Sequence, residues 1–111
     1  MSVLVTLRVK GDATKLERFV AQNPGRMEST VERGKKHGVI GHHFYGNDSE
    51  IIVVDEWPSE DASNAFFAAS PEIREYMEAA GATTPPEVTF WRKLETHDDV
   101  DKSPSIAASA A

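Results

Sequence analysis

Four consecutive β-branched residues, Ile51-Ile52-Val53-Val54, constrain this chain more than any other stretch. Side chains alternate across a strand, so such a run is apolar on both faces and needs cover on both. The run sits in a segment, Glu50–Trp57, that Pro58 ends. Upstream, Val39–Tyr45 also reads as a strand. Between the two lies Gly46-Asn47-Asp48-Ser49, rich in residues that tolerate positive φ, so the pair is expected to form a hairpin.

Two further strands follow from alternation. In Ser2–Lys10, Val3, Val5, Leu7 and Val9 fall on one face, and Leu4, Thr6, Arg8 and Lys10 on the other. Glu87–Leu94 opposes Val88, Phe90, Arg92 and Leu94 to Thr89, Trp91 and Lys93. The remaining periodicity is helical. Leu16, Phe19, Val20, Met27 and Val31 recur at helical intervals broken at Pro24, which predicts two pieces, Thr14–Gln22 and Pro24–Lys36. Thr14 and Glu17 have capping-box spacing, and Asn23 is expected to cap the second piece. Ser59 precedes Glu60 and Asp61, a cap and two acids suited to a helix start. Ala62, Ala65, Phe66 and Ala69 form its stripe. Ser70-Pro71-Glu72 restarts the helix, Ile73, Tyr76, Met77 and Ala80 continue it, and Gly81 closes it.

The order is strand, helix, strand, strand, helix, strand. That is the ferredoxin-like βαββαβ arrangement, an α+β fold with a four-stranded antiparallel sheet and helices on one face. The bare face would carry Leu4, Thr6, Ile52, Val54 and Trp91, too apolar for open water, so a second copy packed sheet to sheet is expected to cover it. At 111 residues the chain fits one domain, expected over residues 1–97, with a flexible tail over 98–111.

Composition closes off several classes of function. The net charge is −6, and the densest basic run, Arg33, Lys35 and Lys36, suits a helix C-terminus, so nucleic acid is not an expected partner. There are no cysteines, hence no disulfide and no thiolate chemistry. No segment reads as a signal peptide or membrane span, and the expected location is the cytoplasm.

One stretch carries a family likeness. Val53-Val54-Asp55-Glu56-Trp57-Pro58-Ser59-Glu60-Asp61, followed by Phe66-Phe67 and then Ser70-Pro71-Glu72, resembles the dimeric α-β barrel superfamily, which includes antibiotic-biosynthesis monooxygenases. The resemblance covers Val3 to Leu94. It implies a homodimer that binds small, often aromatic, molecules between sheet and helices. Some such proteins oxidise polycyclic substrates without metal or flavin. Others degrade haem with an Asn on the first strand, a Trp in the second helix and a His near that helix's end. Here the first strand has no Asn, Phe66 and Phe67 stand where the Trp is wanted, and Tyr76 and Met77 where the His belongs. Haem degradation is therefore not expected.

The candidate site is built around a histidine. His42 and His43 are neighbours on a strand, so they point to opposite faces and cannot share one metal. Parity with Ile40 and Phe44 puts His42 on the inner face, as a general base or as a hydrogen-bonded core residue. Asp55 is open to three uses: orienting a histidine, capping a loop or pairing with Arg92. Phe44, Trp57, Phe67 and Tyr76 are core, or the wall of an apolar pocket in which Tyr76 offers a hydroxyl. No dinucleotide or phosphate loop, nucleophile elbow or metal-ligand spacing occurs, so no cofactor and no metal are expected. The expected function is small-molecule binding, with cofactor-independent oxygenation of an apolar aromatic substrate as its catalytic form. The alternatives are a non-catalytic ligand binder and a structural or regulatory homodimer.

Overall fold

A computed structural model describes residues 1–101. The elements are β1 (Val3–Lys10), α1 (Ala13–Gln22), α2 (Pro24–Lys36), β2 (Gly41–Gly46), β3 (Glu50–Trp57), α3 (Glu60–Ala68), α4 (Ile73–Ala79) and β4 (Glu87–Trp91). The strands form one antiparallel sheet in the order β2-β3-β1-β4. This is the expected ferredoxin-like α+β fold, with each predicted helix divided in two. The tail expected from residue 98 lies outside the described residues from position 102 onward.

Register settles which residues share a face. In the β1–β3 ladder Val5 pairs with Asp55, Leu7 with Val53 and Val9 with Ile51. These six are buried and face the helices, where Leu16, Phe66, Tyr76 and Met77 meet them. The opposite face carries Leu4, Thr6, Ile52, Val54 and Trp91, as the alternation requires. Leu4 is 39% exposed and Trp91 52% exposed. Trp91 pairs with Leu4 in the ladder, and its indole N–H donates to Thr6 Oγ1 at 2.9 Å.

Helix ends differ from expectation in three places, one of them at Ser70-Pro71-Glu72, where a fresh cap is expected but α4 starts after Glu72 without a side-chain cap. Asp12, not Thr14, caps α1: its Oδ1 accepts from the backbone N–H of Thr14 and of Lys15. An aspartate is a stronger cap than the Thr14–Glu17 pair and stands where the strand has already turned. Asn23 sits at the N-cap position of α2 but its side chain turns backward, and Nδ2 donates to the carbonyl oxygen of Phe19. It therefore closes α1 rather than opening α2, and Pro24 starts α2 without a side-chain cap. Ser59 does cap α3, accepting from Ala62 N–H. Gly38, at φ +93°, and Gly81, at φ +83°, end α2 and α4 in the left-handed region that a side chain would disfavour.

The edges of the sheet are shorter than predicted. β2 begins at Gly41, not Val39, and β4 stops at Trp91, not Leu94. Ile40 precedes the ladder, and its side chain is 57% exposed rather than packed beside Phe44. No helix among the described residues is long and apolar enough to cross a membrane.

Candidate functional site

Hairpin register brings the two polar candidates together. β2 and β3 pair Gly46 with Ile51, Phe44 with Val53 and His42 with Asp55. His42 thus faces the helices and His43 the bare face, where it is exposed. His42 Nδ1 lies 2.6 Å from Asp55 Oδ1. Asp55 is only 3% exposed, and its other oxygen accepts a long bond of 3.4 Å from Trp57 Nε1. A buried carboxylate is costly without donors, and these two N–H groups supply them. Of the three uses open to Asp55, orienting a histidine is the one the geometry takes. In the tautomer that carries its proton on Nδ1, the ring donates to Asp55 and leaves Nε2 as an acceptor.

His42 and Asp55 both line a cavity of about 60 Å³ between sheet and helices. Phe44, Trp57, Phe67 and Tyr76 all line it, so the five candidates from sequence come together. The His42 ring packs edge-on against Phe44 at 5.1 Å between centroids. Apart from His42 and Asp55, the walls are mostly apolar and aromatic. As it stands the space takes a few waters; it is smaller than the roughly 150 Å³ that admits benzene. Trp57 is 1% exposed and stacks beside Phe66 at 5.1 Å, so it is as much core as wall.

Tyr76 is anchored differently than the sequence suggested. Its hydroxyl lies 3.0 Å from Thr30 Oγ1. Thr30 in turn donates to Glu72 at 2.8 Å, and Glu72 pairs with Arg33. Arg33 also donates to Ser70. The Tyr76 hydroxyl is thus the end of a chain of polar groups that stitches α2 to α4. Thr30 was not among the sequence candidates: one threonine in a helix carries no periodic signal, and besides the Arg26 carbonyl one turn back its partners are more than 40 residues away.

Burial would push the Glu72 carboxyl up, but the Arg33 guanidinium, the Thr30 hydroxyl and its own backbone N–H outweigh it. They hold it below the usual glutamate value of 4.5. A group depressed in the folded state stabilises the fold above its unfolded value and loses that contribution as pH falls through the folded one. Wild type is therefore expected to melt higher than Glu72→Gln at neutral pH, with the gap closing below about pH 4.5. Thermal unfolding of both proteins across the acid range checks this; a gap that persists at the acid end contradicts it.

No family model matches the chain, and no curated protein matches it either. Solved structures do. A dimeric ferredoxin-like protein from an uncultured marine organism superposes with a TM-score of 0.63 at 14% identity, covering 92% of this chain and 93% of that one. SnoaB, a cofactor-independent oxygenase from Streptomyces nogalater, gives 0.55 at 15% identity, covering 88% and 97%. A monooxygenase from the gene ActVA-Orf6 of Streptomyces coelicolor, in complex with nanaomycin D, gives 0.53 at 22% identity, covering 92% and 91%. The chain has the fold of these proteins, a ferredoxin-like α+β fold. At such identities the likeness speaks for the fold, and function has to be argued from the site.

Proposed function

We propose that this chain, as a homodimer, binds a small aromatic molecule in the cavity beside His42 and oxygenates it with dioxygen, without a cofactor. The observation that carries this reading is the 2.6 Å contact between His42 and buried Asp55 in the wall of an otherwise mostly apolar, aromatic-lined cavity. A carboxylate behind one ring nitrogen makes the other a better-placed base. Without flavin or metal, the electrons for oxygen reduction have to come from the substrate. The base then removes a proton from an acidic C–H or O–H, and the resulting anion reacts with dioxygen. One oxygen atom enters the substrate and the other leaves as water. Two of the structurally similar proteins, a cofactor-independent oxygenase and a monooxygenase, support the same class. The net charge of −6 speaks against nucleic acid as a partner, and the reading places the protein in the cytoplasm.

A second reading, a ligand binder without turnover, is favoured by the small cavity and by the Tyr76 hydroxyl already being engaged. Anthrone separates the two, because its ring methylene is a C–H acid flanked by two arenes. Oxygenation converts that methylene to a carbonyl, consuming one dioxygen and releasing one water. The expected result is protein-dependent oxygen uptake above the buffer rate, with one dioxygen consumed per anthraquinone formed and no added flavin or metal. Binding of anthrone with no uptake above buffer would select the second reading.

A further inference from the structure

A groove of about 440 Å³ lies on the outer side of α2 and α4, and Tyr76 lines it as well as the inner cavity. Arg26, Arg33 and Glu72 are the charged residues that line the groove. Tyr76 thus lines both a small, partly enclosed space and a larger, more open one. It is 2% exposed, held edge-on against Phe19 at 5.9 Å between centroids and fixed at its hydroxyl by Thr30. Thr30 has one proton to give. The nearer acceptor, the Glu72 carboxylate at 2.8 Å, takes it, so the Tyr76 hydroxyl donates to Thr30.

We infer that Tyr76 is a gate between groove and cavity, latched shut by Thr30, and that its opening joins the two spaces into one site of aromatic-ligand size. This rests on the cavity being the ligand site. The inner space alone is too small for a fused aromatic ring system, whereas cavity and groove together are not. Among the described residues Tyr76 is the one that lines both spaces, and its ring leaves that position only when the Thr30 contact is broken and its packing on Phe19 is given up. The Glu72–Arg33 pair keeps the acceptor side of the latch in place. Ligand size and the speed of access are then set by Tyr76 and Thr30 rather than by His42.

The test uses 2-naphthol as the probe and stopped-flow fluorescence as the readout. Tyr76→Phe removes the latch donor and keeps the ring; Thr30→Val removes the acceptor and keeps the shape. In both, association and dissociation rates are expected to rise together by about fivefold, the population change for loss of one ordinary hydrogen bond. Thr30→Ser, which restores the hydroxyl, is expected to return to wild-type rates. Circular dichroism establishes that each variant is folded, and Tyr76→Phe carries the test if Thr30→Val is not. Wild-type rates in both variants would overturn the gate while leaving the cavity as the site. Failure of 2-naphthol to bind wild type at all would overturn the gate and the site together.

Discussion

Val54→Asp is expected to turn a dimer into a monomer. Val54 lies in the middle of the bare sheet face, between Thr6 on β1 and His43 on β2. With Leu4 and Trp91 it makes an apolar surface that the helices do not cover. Two such faces pressed together form an isologous interface, so each substitution is met twice. An unpaired carboxylate buried there costs at least about 3 kcal/mol, which raises the dissociation constant more than about a hundredfold. Sedimentation of wild type at micromolar concentration should give twice the chain mass of 12.2 kDa, and Val54→Asp the chain mass alone. The fold of the variant should survive, because Val54 points away from the core. A wild type that stays monomeric at high concentration, or a variant that stays dimeric, contradicts the sheet-to-sheet assembly.

Replacing His42 is expected to have the largest effect on turnover, and the choice of replacement matters. His42→Ala would leave Asp55 buried with only the distant Trp57 indole as a donor. Such a stranded carboxylate costs about 1–3 kcal/mol or more, whether or not the site has a function. A loss of stability in that variant therefore does not separate a catalytic histidine from a structural one. His42→Gln does: its amide N–H can still donate to Asp55, while its carbonyl oxygen is no base. Anthrone turnover by His42→Gln is expected to fall by about 10²–10⁴-fold, the range for loss of a general base, with the melting temperature nearly kept. Unchanged turnover would remove His42 from the chemistry and leave it as a partner of Asp55.

Much of the fold was legible because period-two patterns are strict. A slip of one residue flips every side chain, and the opposite parities of Val5 and Leu4 fixed the core face unambiguously. Ile40 was misjudged because parity holds only inside a ladder, and β2 starts one residue later. Asp12 was missed as a cap because Thr14 and Glu17 supplied a competing local pattern, and tertiary geometry chose between them. The His42–Asp55 pair is readable from the hairpin. Counting outward from the hairpin turn, pair by pair from Gly46 and Ile51, places His42 opposite Asp55. The latch of Thr30, Glu72, Arg33 and Tyr76 had no such signal. It joins two helices through side chains far apart in sequence, and only the packed fold brings them together.

The placement of the ligand beside His42 is tested most directly by following the imidazole ¹⁵N–¹H correlations while 2-naphthol is added. His42 and His43 are sequence neighbours on opposite faces of the sheet, so they act as paired reporters. The expected result is a saturable change in the His42 signals, with its Nδ1–H still bonded to Asp55, while His43 stays unmoved. Saturable binding that shifts His43, or that leaves His42 untouched, would contradict the site.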